Sequence, residues 1–200
     1  MSNQYFDIED AKFFELTDPG DECNGGAAPT YAAGIDIGCV KSLSLTENRT
    51  EAEQTGDASV CAKVNRTKDY SGTLQHGGLS ATLLEKLIGA TRTTHTSAGG
   101  VNATRVAVNQ DDVKARGAII AKLDTPGLDG AMHIILWNVQ IASKPDLNAA
   151  EGAFFNTQLN LSLDRSLYTA QSCKGWYDLV EFDALVEIPT TFPGTADYPA

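Results

Sequence analysis

The chain has 200 residues, 42% of them hydrophobic, and a formal net charge of −11. That size and apolar fraction suit one domain with a sizeable core, and no apolar run is long enough to cross a bilayer. Residues 1–22 hold seven acids against one base, residues 176–200 hold five acids and no base, and the middle balances fourteen of each sign; tight nucleic-acid binding, which needs clustered Lys and Arg, is excluded.

In chain order, the start MSNQYFDIED has neither the basic end nor the apolar run of a secretory signal, so synthesis in a cytoplasm is expected. Residues 1–34 form an N-terminal arm and loop. Tyr5 to Leu16 carries Tyr5, Phe6, Ile8, Phe13, Phe14 and Leu16 without a clean period. That suits an arm docked on a neighbouring subunit, or an edge strand of its own domain. Thr17 to Gly34, rich in Pro, Gly and Asp, reads as loop. Residues 35–188 read as a single β-rich domain, and 189–200, with three prolines, as an extended tail.

Val40 to Leu45 alternates as a half-buried strand. Thr46 to Asp57 has no large apolar side chain to bury and reads as a long polar loop. Ser59 to Asn65 places Val60, Ala62 and Val64 on one face, and Asp69 to Gln75 keeps Tyr70, Gly72 and Leu74 in step. A helix follows. Ser80 is placed as its N-cap, Leu79 and Leu84 as a hydrophobic staple, and Leu83, Leu84, Leu87 and Ile88 as one apolar stripe. Gly89 is placed to end it in the left-handed conformation.

Ala90 to Gly100 reads as a surface linker, and Thr104 to Val108 as a short strand. Val113 to Leu123 puts its odd-numbered residues on one face and Lys114, Arg116 and Lys122 on the other. Asp124 to Gly127 makes a turn; without a Walker loop its D-x-x-G string is no GTPase motif. Ala131 to Ala142 reads as a central strand with His133, Ile135, Trp137, Val139 and Ile141 on one side. Phe154 to Leu163 alternates leucines with Asn156, Gln158, Asn160 and Ser162. Trp176 to Ile188 reads as a final strand, with Val180, Phe182, Ala184, Val186 and Ile188 inward and Glu181, Asp183, Leu185 and Glu187 outward.

Cys23, Cys39, Cys61 and Cys173 stand far apart with no C-x-x-C pair, so reduced, mostly buried thiols are expected. His76, His95 and His133 match no metal-ligand spacing. There is no G-x-S-x-G, H-E-x-x-H, Walker or dinucleotide motif. The sequence therefore points to no catalytic residue, no cofactor, no metal and no enzyme activity.

The run VKSLSLTENRTEAEQTGDASVCAKVNRTKDYSGTLQHGGLSATLLEKLIG, from Val40 to Gly89, resembles the central segment of the major tail proteins of long-tailed phages, the subunits of the tail tube. The likeness lies in an early strand, a long polar loop ending near Gly-Asp, a pair of strands, and a helix ending in Leu-Ile-Gly. It implies a mainly β fold, a β-sandwich or partly open barrel with one short flanking α-helix. It further implies a structural virion protein of the tail, whose hexameric rings stack into a tube that DNA traverses without tight binding. Its partners would be copies of itself and other tail proteins, with no membrane. The polar loop, with Glu47, Arg49, Glu51, Glu53 and Asp57, would reach the adjacent ring. The Asn156 to Ser162 face is then either an exposed sheet face or the lining of the bore. Two alternatives stand beside this one: a tail terminator, tail-completion or secretion-tube-like protein, and a monomeric carbohydrate-binding or adhesion module using Tyr31, Trp176 and Tyr177.

Overall fold

The computed structural model describes residues 7–56, 59–77, 80–109, 111–112, 114–124, 130–143, 146–148, 156–168 and 173–192. Six long segments, apolar over the body of the molecule on one face or on both, pair edge to edge and bury their apolar side chains together. These are Asp7–Asp18 (β1), Val40–Gly56 (β4), Ser59–His76 (β5), Arg116–Asp124 (β8), Ala131–Ile141 (β9) and Asn156–Leu163 (β11). Thr30–Tyr31 (β2), Ile35–Asp36 (β3), Thr91–Thr96 (β6), Asn102–Ala107 (β7), Asp146–Asn148 (β10) and Tyr177–Phe182 (β12) are shorter. The pairings are antiparallel. One sheet runs β2–β1–β8–β9–β11–β5–β4, with β3 on β1, β10 on β11 and β12 on β9; β6 and β7 form a separate hairpin. The protein is thus mainly β with one short helix, as expected.

Residues 7–18 are neither an arm nor an edge strand. They form β1, which pairs with β8 on one side and with β2 and β3 on the other, and which buries Ala11, Phe13 and Phe14. The apolar content that lacked a period in the sequence is explained by burial on both faces. Phe13 joins the main core and Phe14 the opposite one.

The sheet curls around the main core, where Phe13, Leu74, Ile119, Leu136, Val139 and Leu159 meet. The helix Ala81–Ile88 (α1) lies against it with Leu83, Leu87 and Ile88 buried. Its predicted ends are realised. The Ser80 hydroxyl accepts from the Leu83 N–H at 3.0 Å, and Gly89 adopts φ 69°. Leu79, the other half of the proposed staple, lies outside the described residues.

A second core covers the far side of β1, β8 and β9. Phe14, Ile120, Ile135 and Trp137 pack there under Tyr168 and Phe192. The rings meet at 5.3 Å (Trp137–Tyr168), 5.4 Å (Phe14–Phe192) and 4.4 Å (Tyr31–Phe192) between centroids. The single-face assignment for β9 is therefore corrected. Ile135 and Trp137 belong to this second core, while Val139 and Ile141 belong to the first. The cause is a β-bulge. Gly117 pairs with Val139 and Ile119 with Leu136, so Trp137 and Asn138 together oppose Ala118. Beside it β1 passes so close to β8 that a Cβ on Gly117 would stand 2.1 Å from the Phe14 carbonyl oxygen.

Other expectations change for similar reasons. Ala90 to Gly100 is no linker, since Thr91–Thr96 is a strand of the β6–β7 hairpin. The last strand stops at Phe182, and residues 183–192 cross the second core outside the sheet. Lys122, on the face opposite the apolar residues of its strand, is buried beneath that segment. The turn after Asp124 falls outside the described residues. Cys23 and Cys173, 150 positions apart, form a disulfide rather than free thiols, because the fold returns the chain beside its own first loop with the Cα atoms 5.8 Å apart. Cys39 is free but exposed.

Trp137 sits at the bulge and in the middle of the aromatic cluster. Trp137→Ala should cost about 3–5 kcal/mol in urea unfolding, and Trp137→Phe clearly less, because the ring contacts survive in part.

Candidate assembly surfaces

β4 and β5 pair from Val40↔His76 to Gly56↔Ser59. The expected polar loop Thr46 to Asp57 is thus corrected to strand as far as Gly56. Cross-strand partners, rather than burial, hold it extended. Over the body, one face of this ribbon carries Leu43, Leu45 and Leu74 against the main core. Farther out the same face turns charged, and residues 49–53 and 63–66 are exposed. The change of chemistry marks where the ribbon leaves the body. A bulge lies at the same place, with Asn48 opposite Asp69 but Arg49 opposite Thr67.

Glu47, Arg49, Glu51 and Glu53 are spaced by two and so share that face. Asp57 lies outside the described residues. The structure brings the four together with partners from β5. Arg49 reaches Glu47 at 2.6 Å, and the Thr67 hydroxyl also donates to Glu47. Lys63 lies 3.3 Å from Glu51 and 2.9 Å from Glu53. The hydrogen bond from Arg49, and then that from Thr67, hold the Glu47 carboxyl below the usual carboxylate range. Hydrogen bonds to Glu53 and Glu51 raise the Lys63 ammonium. Exposed pairs like these contribute little stability one by one; together they fix the face of a ribbon that has no core beneath it.

On the opposite side of the sheet a block of side chains is uncharged, bordered by Arg116, which stands beside Gln140 and pairs with Asp164, and by Asp69, which accepts from Asn48. Ser42, Ser44 and Thr46 on β4 stand beside Gln75, Thr73 and Ser71 on β5. Those stand beside Gln158, Asn160 and Ser162 on β11, and Ser162 faces Gln140 on β9. The expected alternation along β11 holds, with Thr157, Leu159, Leu161 and Leu163 buried and the polar residues on the other face. These side chains bond mostly to one another, Ser44 with Thr73 at 2.7 Å, Gln75 with Gln158 at 3.3 Å, and Asn160 with Ser143 at 2.7 Å.

The strand expected from Thr104 to Val108 is present as β7, but its partner β6 is a feature that sequence reasoning missed. Thr91 to Thr96 is exposed throughout and carries no apolar alternation to announce it. Its available signal was the Thr-rich run Thr91 to Thr96 followed by Ser97 to Gly100, where Gly100 turns the chain at φ 75°.

The C-terminal segment is clamped by buried polar groups. Lys122 lies 2.7 Å from Glu187 and 2.9 Å from Glu9. A ring nitrogen of His133 meets the Val186 carbonyl at 3.0 Å, and the Gly34 N–H donates to the Thr190 carbonyl at 2.7 Å. Burial by itself would lower the Lys122 ammonium, but the hydrogen bonds to Glu187 and Glu9 outweigh it and raise its pKa. The bond to Lys122 holds the Glu187 carboxyl below its usual range.

The aromatic residues considered for a sugar site do not make one platform. Tyr31 is packed in the second core, where burial pushes its hydroxyl pKa up. Trp176 and Tyr177 meet Tyr70 at interplanar angles of 52° and 78°. Among the described residues no three metal-ligating side chains form a group, and no helix is long and apolar enough to cross a membrane. Comparison with protein-family models and with curated proteins returned no match.

The Glu187 clamp predicts a pH signature. Its folded pKa lies below the unfolded value, so its stabilisation is present above the unfolded pKa and is lost as pH falls through the folded one. Glu187→Gln should therefore melt below the wild type at neutral pH. The two melting temperatures should converge in acid.

Proposed function

We propose that this protein is a structural subunit that joins copies of itself into hexameric rings, stacked as the tail tube of a long-tailed phage, with DNA passing through the bore. The observation that carries this reading is the uncharged block on the face shared by β4, β5, β11 and β9. Phosphates are held by clustered Lys and Arg. A wall of Ser, Thr, Asn and Gln bonded to one another offers a passing polyanion neither a fixed positive charge to grip nor a dense negative one to resist. The chain's likeness to tail tube subunits over Val40 to Gly89 supports the same reading.

The ribbon that continues β4 and β5 is suited to contact along the tube axis. Glu47 pairs with Arg49 along β4, and Glu51 and Glu53 pair with Lys63 across to β5, so little ordering of these side chains remains to be done on contact. β4 also ends the sheet on one side, close to β1 over the body but without a strand partner there among the described residues, and an unpaired edge is what ring closure removes. In this role the subunit carries out no reaction and needs no cofactor. Other tail proteins would be its further partners, and the virion tail its place.

Purified protein should form rings or tubes in negative-stain microscopy; a persistent monomer at high concentration would overturn the reading. Residues 51–54 pair with 65–62, so removing both blocks shortens the ribbon without shifting its register. That variant should fold and lose axial stacking, and unchanged tubes would remove the ribbon from the mechanism. In gel retardation at moderate salt, duplex DNA should run unshifted.

A further inference from the structure

The β6–β7 hairpin has no core of its own. Residues 91–105 are all exposed, and a two-stranded hairpin is marginal in water unless it packs on something. It is anchored at its base, where Val106 touches the main core and Arg92 reaches Thr82 at 3.2 Å and Glu85 at 3.9 Å, which leaves Arg105 as its outlying arginine. Residues 91–110 contain two arginines, one histidine and no acid. Val101, in the turn at the tip, is 67% exposed, and Val108, just past the end of β7, is 46% exposed.

The other end of the chain shows the reverse pattern. On and after β12, Leu179 and Leu185 are 55% and 70% exposed among Asp178, Glu181 and Asp183, and residues 175–200 contain no base. Among the described residues the strand pairing of β12 is with β9.

We infer that the β6–β7 hairpin of one copy docks on the β12 segment of the next copy. Each patch combines exposed apolar side chains with one sign of charge, and the two signs are opposite. Pairing like patches would set arginine against arginine or acid against acid, which electrostatics disfavours. Pairing unlike patches joins copies head to tail, the arrangement that closes into rings or continues as a filament. This inference rests on the subunit reading and supplies its lateral contact.

The test is a charge swap read by the concentration at which assembly begins. Arg105→Glu and Asp183→Lys should each raise that concentration roughly tenfold, which corresponds to about 1.4 kcal/mol. The double variant should recover most of the loss, and higher ionic strength should weaken wild-type assembly. If wild type assembles but the single variants match it, or the double variant recovers nothing, the docking is overturned while the subunit reading stands. If wild type never assembles, both fall. As a check independent of stability, Cys39 and Cys61 are replaced by Ser and a Val101→Cys chain is mixed with a Leu179→Cys chain. Oxidation should cross-link the two kinds of chain, and failure to do so in assembled protein overturns the docking.

Discussion

Two residues of β9, Trp137 and Asn138, face the single residue Ala118 of β8, and this extra residue sets the rest of the molecule. Before it, Ile135 and Trp137 point into the second core; after it, Val139 and Ile141 point into the first. The same strand changes neighbours at that point, from β12 along Ala131 to Leu136 to β11 along Val139 to Ile141. Buried groups hold the irregularity in place. The Trp137 indole N–H donates to Asp178 at 2.7 Å, the Asn138 amide donates to the Arg165 carbonyl at 2.9 Å, and the Asn138 carbonyl accepts from the Asp164 N–H at 2.8 Å. Each of these partners lies in or beside the connection between β11 and β12, so the bulge and the fork in the sheet support each other.

The fork divides one sheet into two environments. Around β1, β8 and the first half of β9, both faces are buried, the outer one by aromatic rings and the clamped C-terminal segment. Around β11, β5 and β4 only the inner face is buried, and the outer one is left to Ser, Thr, Asn and Gln. A protein whose task were solubility alone would gain from charges there. Their absence from the middle of this face, between the Arg116–Asp164 pair and Asp69, gives the proposed bore its chemical basis. The charged patches lie elsewhere, basic on the β6–β7 hairpin and acidic on and after β12, where they suit contacts between copies.

Some of this was legible in the residues. Ser80, the leucine stripe and Gly89 specify α1 because capping and helical periodicity are local, acting within a few residues of chain. The alternation of Thr157 to Leu163 likewise foretold which side of β11 is buried, since a strand's period depends only on its own backbone. The charged residues Glu47, Arg49, Glu51 and Glu53 were picked out correctly as a group but placed on a loop. A stretch without large apolar side chains gives no sign of being a strand when its stabilisation comes from partners such as Lys63 and Thr67 on another segment.

Composition, periodicity and caps by themselves determined that the chain is mainly β, where its helix begins and ends, and where its acids concentrate. The tertiary structure alone decided that β1 is interior, that Lys122 is buried between Glu9 and Glu187, that Cys23 meets Cys173, and that β9 serves two cores. These outcomes depend on which distant segments meet, and a one-residue bulge reverses every side chain beyond it. Local pattern carries no record of either.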